Sequence, residues 1–462
     1  MKHFTAILTA ALIILFAASA GAAITKGPYL QSPSTESMVI ALETDEDLEA
    51  TVEVGLDTNY GLEFVGDGNH FVFDTYERYS YAITIDGLEA DTSYHYRVTV
   101  GGETTEDFIF STAPDELVPF RFVVMGDTRG GSTSAPNLEH EALVDKVIDE
   151  GVDFYINTGD MVSSGIDLDA WDYFFDAERD LISQTALLPV IGNHEMDQEW
   201  GVTGLGMFSR VFETPNHGFF ETFYSFDYVN VRFIVLDLEN WYTFVLPGVL
   251  QHDWFEQRLQ EFQDDPSLNF CFVAFHQPPF SYKDGRMGHI VAQLYVQPLM
   301  KKYGAVAAFE GHDHFYARHR MNGIDHIVAG GGGAPLYDFQ TFPAPPTLPG
   351  YQMHDRSNHY IVVDVTPTET ALTVIRLDGT VIETFSYTAD PPQWPVDDDD
   401  DDDTTPVDDD DDTTPVDDDD DDTTPGDDDD DDATPTDDDD DDDDNNDDDN
   451  DDDNDDSGGC GG

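Results

Sequence analysis

The chain has 462 residues, enough for two domains with appendages, and its 98 acidic residues against 19 basic give a formal charge of −79. A protein so acidic lacks the basic footprint that nucleic acid requires, so that class of partner is excluded. Two cysteines, Cys271 and Cys460, cannot build a disulfide framework, and the fold must rest on its apolar cores.

Residues 1–23 combine a basic start, an apolar run and small residues at Ala18, Ala20 and Ala23. That pattern predicts a secretory signal peptide removed on export, and a secreted, periplasmic or cell-surface protein. No other apolar run reaches the length of a membrane-spanning helix. Residues 24–115 hold short strands such as "SMVIAL", "ATVEVG" and "YSYAITI" with turn residues between them, which predicts an all-β sandwich. In "SYHYRVTV" Tyr94, Tyr96, Val98 and Val100 share one face, the period of a half-buried strand. "LEADTSYHYRV" resembles the fibronectin type III pattern, in which a Tyr pins a corner.

From 118 to 390 the texture becomes α/β. Apolar strands "RFVVMGD", "VDFYINTGD", "ALLPVIGNH", "NFCFVAFHQ" and "AVAAFEGHDH" each stop at a polar residue, and amphipathic segments "NLEHEALVDKVIDEG" and "QHDWFEQRLQEFQ" lie between them. "YSFDYVNVRFIVLDLE" predicts a hairpin, and a second closes the region, turning at Asp378–Gly379. Cys271, inside a strand-like run, is expected as a buried free thiol. Residues 396–456 contain 40 Asp and no Lys or Arg, punctuated by "TTPV"-like breaks, and predict a disordered solvated tail whose alternative use is loose Ca²⁺ binding. Residues 457–462, "SGGCGG", predict membrane anchoring only if Cys460 is modified.

Five strand ends carry the chemistry: Asp127, Asp160, Asn193, His276 and the pair His312/His314. Strand ends of an α/β sheet converge on one crevice, and a set of oxygen and imidazole donors without thiolate suits Zn, Mn or Fe. Asp127, Asp160, Asn193 and His312 each follow a glycine, which is expected to let the backbone turn sharply and aim the next side chain.

In this order, "GDTRG", "GDMV", "GNHE", "FHQPPF" and "GHDHFYAR" resemble the calcineurin-like metallophosphoesterase superfamily. With the preceding sandwich and "HIVAGGGGAPLY", the chain is similar to purple acid phosphatases over roughly residues 24–387. The resemblance implies a metallophosphoesterase β-sandwich flanked by helices, two metal ions and a phosphate ester substrate, hydrolysed by metal-bound hydroxide. Asp160 would bridge the metals; Asp127 and His314 would hold one, and Asn193, His276 and His312 the other. His194 would protonate the leaving oxygen, while Arg129 and His289 are candidates to touch substrate, with Tyr316 and Arg318 also able to face the pocket. Two cations would give this negative protein the local positive centre that a phosphate ester needs.

Two departures matter. Purple acid phosphatases have a Tyr three residues after the bridging Asp; Ser163 stands there, so no purple chromophore is expected. Relatives without that Tyr use a His two residues after the first Asp, where this chain has Arg129. His140 is a candidate to fill the gap as a ligand or from behind the ligands; a surface histidine is the alternative. Monoester hydrolysis is the first expectation, with phosphodiesterase or nucleotidase activity, or a non-catalytic surface binding module, as alternatives.

Overall fold

The computed structural model describes residues 24–73, 76–130, 137–196, 203–216, 222–241 and 245–392. The signal segment, the Asp-rich tail and Cys460 lie outside the described residues. Residues 24–111 form two antiparallel sheets. One orders Ile24–Gln31, Met38–Thr44, Tyr76–Ile85 and Asn69–Phe73; the other orders Leu62–Gly66, Ala50–Gly55, Ser93–Val100 and Glu103–Thr104, with Phe108–Ser111 also on Ser93–Val100. Leu30, Ile40 and Leu42 of the first meet Val52, Tyr96 and Val98 of the second in a shared core. Tyr94, Tyr96, Val98 and Val100 are all buried, as the alternation predicts. The Glu89 N–H donates to the Tyr94 hydroxyl at 2.9 Å, the bond by which a tyrosine ties down a sandwich corner.

Two larger sheets follow. The six-stranded one orders Ala186–Pro189, Phe154–Asn157, Phe120–Met125, His359–Val365, Glu369–Arg376 and Val381–Thr388, its first three strands parallel. The seven-stranded one orders Tyr224–Tyr228, Val231–Val235, Phe270–Ala274, Ala307–Glu310, Ile324–Ala329, Tyr316–Met321 and Tyr351–Asp355. Their inner faces meet through aromatic rings: Phe122 lies edge-on to Phe233 at 5.1 Å and to Phe309 at 6.1 Å, geometries that the ring quadrupole favours. Helices cover the outer faces. Leu138–Glu150 and Leu168–Ile182 pack on Val123, Met125 and Tyr155. Phe255 and Leu259 of helix Val245–Asp264 pack with Ile234, Cys271 and Val273 on the other sheet. Strands covered on both faces must be apolar throughout, which is why these segments read as continuous hydrophobic runs. Cys271 is a fully buried free thiol whose pKa burial pushes up.

The boundaries of helix Leu138–Glu150 follow from its ends. Asn137 Oδ1 accepts from the His140 N–H at 3.3 Å, and the chain leaves through Gly151 at φ 63°. Helix Leu168–Ile182 and the antiparallel pair Tyr316–Met321 and Ile324–Ala329 are elements beyond those expected from the sequence. No helix among the described residues is long and apolar enough to cross a membrane.

The first sandwich is tied to the helices. Lys26, 1% exposed, lies 2.5 Å from both Glu43 Oε1 and Asp172 Oδ1 of helix Leu168–Ile182. The Tyr29 hydroxyl donates to Val211 O at 2.6 Å and the Tyr96 hydroxyl to Ser183 O at 2.7 Å. Removing one partner of a buried ion pair leaves the other charge uncompensated. Lys26→Ala is therefore expected to cost about 3 kcal/mol, read as a lowered urea midpoint; an unchanged midpoint would show that Arg78, 3.3 Å from Glu43, suffices alone.

Candidate metal centre

The strand ends converge, and they do so from two sheets. Asp127, Asp160 and Asn193 follow strands of the six-stranded sheet, while His276, His312 and His314 follow strands of the seven-stranded one. Asp160, His276 and His312 form one triad, and Asp127, Asp160 and His314 a second; within each, the donor atoms lie within 4.8 Å of one another. Asp160 belongs to both.

Local backbone geometry explains the aim of these side chains and corrects the expected role of the glycines. The turn falls mostly on the candidate ligands themselves: Asp127, Asp160 and His312 adopt φ of 56°, 55° and 68°. Non-glycine residues take this left-handed conformation only when their surroundings impose it. The preceding glycines are needed for close approach. A Cβ on Gly126 would stand 1.9 Å from Thr158 Oγ1, and of the four only Gly159 itself turns with positive φ. Backbone amides complete the clamp: His312 N–H donates to Asp127 Oδ2 at 2.8 Å and His194 N–H to Asp160 Oδ1 at 3.0 Å.

Carbonyls fix the imidazoles. His276 Nδ1 faces Thr158 O, His314 Nδ1 faces Pro335 O and His194 Nδ1 faces Ser163 O, each at 2.8 Å. A neutral ring donating through Nδ1 presents a bare Nε2 to the centre, the tautomer a cation requires. His276 Nε2 lies 3.1 Å from Asp160 Oδ1 and His314 Nε2 3.3 Å from Asp127 Oδ1. Asn193 Oδ1 is buried with no hydrogen-bond partner within the protein, and Asp127 Oδ1 and His276 Nε2 have none beyond the imidazole–carboxylate contacts just given. Such groups are costly to bury unless something satisfies them, and an oxygen–nitrogen set of this kind fits a cation of the Fe, Zn or Mn type. The residues therefore fit a pair of metal ions.

Charge is redistributed within the cluster. Burial alone would raise the Asp160 carboxyl, yet His276 and His194 hold it far below the usual carboxylate range. Burial works against the His276 imidazolium, but Asp160 overrides it and raises the ring to about 10. Burial and the His276 charge push His312 well down.

The sequence reading missed Glu195, although its motif contained it. This fully buried carboxylate accepts from the N–H groups of Asp160 and Gly192 at 2.8 Å and of Val162 at 3.1 Å, joining the loops that carry Asp160 and Asn193. Burial, then Asp160, raises its pKa to about 7. Asn137 was also unread: its Nδ2 donates to Thr128 O at 2.9 Å and Arg129 O at 3.1 Å, fastening the loop after Asp127 to the helix it caps.

Arg129 stands inside the cluster, its Nε 3.6 Å from Asp160 Oδ2 and its Nη2 3.5 Å from His314 Nε2. His194 overlooks the shared carboxylate, Nε2 at 3.8 Å from Asp160 Oδ2. His140 is neither a surface residue nor turned toward a cation. It is buried, with Nδ1 3.0 Å from Gly332 O and Nε2 3.1 Å from Glu178 Oε1, so both nitrogens face protein partners. A cavity of about 20 Å³ lies between it, Arg129 and Ser163, where the side chain of Ser163 is too short to replace a tyrosine. His289 is half-buried with Nδ1 unpartnered; burial, then His276, lowers its pKa. Tyr316 and Arg318 point elsewhere: both bind Glu383 of strand Val381–Thr388, at 2.7 Å, and Tyr316 is buried in the core between the sheets.

Residues 120–316 match the family model of the calcineurin-like phosphoesterases, a superfamily to which that stretch is similar. Within it, the similarity is to purple acid phosphatases. The probable purple acid phosphatase 20 of Arabidopsis thaliana is 26% identical over 245 residues, 51% of this chain and 54% of that protein. The nucleotide pyrophosphatase/phosphodiesterase of Hordeum vulgare is 26% identical over 265 residues, 48% of this chain and 70% of that one. Purple acid phosphatase PPD1 of yellow lupin shares the fold, with a TM-score of 0.65 at 20% identity, covering 78% of this chain and 74% of its own. In sequence, the chain spans about half the length of the first of these relatives.

Because the metal-free protein holds a proton on His276 up to about pH 10, cation uptake must release it. Affinity for Zn²⁺ should thus rise with pH below that value. Calorimetry of Zn²⁺ binding in two buffers of different ionisation enthalpy counts the protons; zero released would reject a charged His276.

Proposed function

We propose that the chain is an exported phosphatase that hydrolyses phosphate monoesters at two metal ions. Asp127, Asp160 and His314 would hold one ion, and Asp160, Asn193, His276 and His312 the other. The observation that carries this reading is the pair of donor triads sharing Asp160, with Asn193 Oδ1 buried and unpartnered beside them. When bound, such a pair supplies Lewis acidity toward the phosphoryl oxygens and lowers the pKa of a water.

The chain's own residues would do the rest. Arg129 offers a planar guanidinium beside Asp160 and His314 that matches two phosphoryl oxygens. His194, with Nδ1 committed to Ser163 O, can deliver a proton only from Nε2, the nitrogen that faces the centre. His289 lines the same side as His276 and would contact the ester. The rigid first sandwich serves as a neighbour rather than a mobile lid. A second reading, hydrolysis of diesters or nucleotides by the same centre, is favoured by the barley relative's name.

Phenyl phosphate hydrolysis by the protein loaded with Zn, Mn or Fe, against a chelated control, tests the proposal. Chelator-sensitive release of phosphate is the expected result; cleavage of a diester alone would move the function to the second reading, and silence on both would leave a binding module. His194→Ala is expected to slow alkyl phosphates about 100-fold or more but activated aryl esters far less, because only a poor leaving group needs the proton. Equal losses on both would reject the general-acid role. Asp160→Ala should lower bound metal from two ions per chain toward none, measured by elemental analysis.

A further inference from the structure

The loop from Ser281 to His289 brings two cations to the edge of the centre, and its backbone is fixed. Lys283 bridges Phe339 in an isolated antiparallel pair, Gln340 N–H donates to Tyr282 O at 2.8 Å and Asp284 N–H to Asp338 O at 3.3 Å. Arg286 anchors the loop to the candidate ligands, its Nη1 donating to His312 O and Asp313 Oδ1, both at 2.7 Å. Lys283 has no such engagement. Its ammonium lies 3.9 Å from the centroid of the Tyr337 ring. That ring stacks on the imidazole of His314 with centroids 3.9 Å apart and planes at 14°. Two ring spacings are therefore the most that separates Lys283 from a candidate ligand.

Among the described residues, every other buried or half-buried Lys and Arg has a carboxylate partner, from Lys26 with Glu43 to Arg318 with Glu383. Lys283 has an aromatic face instead, in a chain with five acidic residues for each basic one. Of the carboxylates around the loop, Asp313 is taken by Arg286 and Ser281, and Asp338 by Arg356 at 3.2 Å. Burial, then the Arg286 charge, lowers the Lys283 pKa, so the position disfavours its own cation until an anion arrives. Met287, 92% exposed, shows that the loop opens to solvent.

We propose that Lys283 binds a second anionic group, a carboxylate or a further phosphate, carried on the leaving group of the ester hydrolysed at the adjacent centre. The proposal rests on the phosphatase reading and narrows it to doubly anionic substrates. A body of strongly negative potential would repel such substrates unless a cation waits beside the reacting group.

The test compares three esters on the full chain loaded with Zn: phenyl phosphate, 3-carboxyphenyl phosphate and a nucleoside diphosphate. In Lys283→Ala, kcat/KM for the charged esters relative to phenyl phosphate should fall about tenfold, the usual size of one charge-assisted contact, and mainly through KM. Lys283→Arg should restore most of the ratio. A fall confined to the carboxylate or to the diphosphate identifies which anion is taken; unchanged ratios for both overturn the proposal. Should the alanine variant fail to fold, Lys283→Gln carries the same test. If the unaltered protein does not turn over phenyl phosphate, the phosphatase reading fails instead. Thermal shifts with methylphosphonate and phosphonoacetate then decide on Lys283 alone, and equal protection by the two overturns it.

Discussion

A carboxylate shielded from water must be stabilised by something other than solvent, and Asp160 is held from several sides. His276 approaches one oxygen, while Arg129 and His194 approach the other. The Asp160 N–H is pinned by Glu195, and its φ of 55° is a left-handed conformation uncommon for a non-glycine residue. These contacts come from three different strand ends, so two sheets must be in register before the carboxylate is secure. The apolar faces between the sheets supply that register: Phe122 and Phe154 on one side, Phe233, Phe272 and Phe309 on the other. The buried polar cluster is costly, and the aromatic core behind it is what offsets the cost.

Much of this was legible because strands covered on both faces, by helices outside and by the facing sheet inside, must be apolar to their ends, so the first polar residue after each run marks the crevice. Asp127, Asp160, Asn193, His276, His312 and His314 are each picked out that way, and five of them meet in the two donor triads. Other features left no such mark. Glu195 and Asn137 act through backbone N–H and C=O groups, whose positions no residue pattern encodes. The stack of Tyr337 on His314 joins residues 23 positions apart, across a strand pair and a glycine-rich turn. His140 looked like a spare ligand because helical spacing says which face a residue occupies, not whether a partner waits there; Glu178 was that partner. Residue pattern left open whether Tyr316 and Arg318 face the crevice; Glu383, 65 or more residues on, decides it by binding both.

The distribution of charge is as informative as its sum. Nearly all the cations of the body are spent on structure, pairing across strands or between sandwich and helix. Two cations stand near the candidate metal centre: Arg129 within it and Lys283 above Tyr337. In a uniformly acidic surface a few cations in one cleft dominate the local field, because field lines concentrate where low-dielectric walls meet the solvent.

The attachment of the first sandwich to the helices has a consequence for how the protein comes apart. Tyr29, Ala41 and Phe71 share a cluster with Trp171, Phe175 and Phe212, and Lys26 closes one edge of it. A chain cut before residue 118 would strip one wall from that cluster and bare an aromatic surface otherwise sealed. The two parts that look separable in sequence would then melt together, in one cooperative transition, and neither would serve as a modular piece to be exchanged for another.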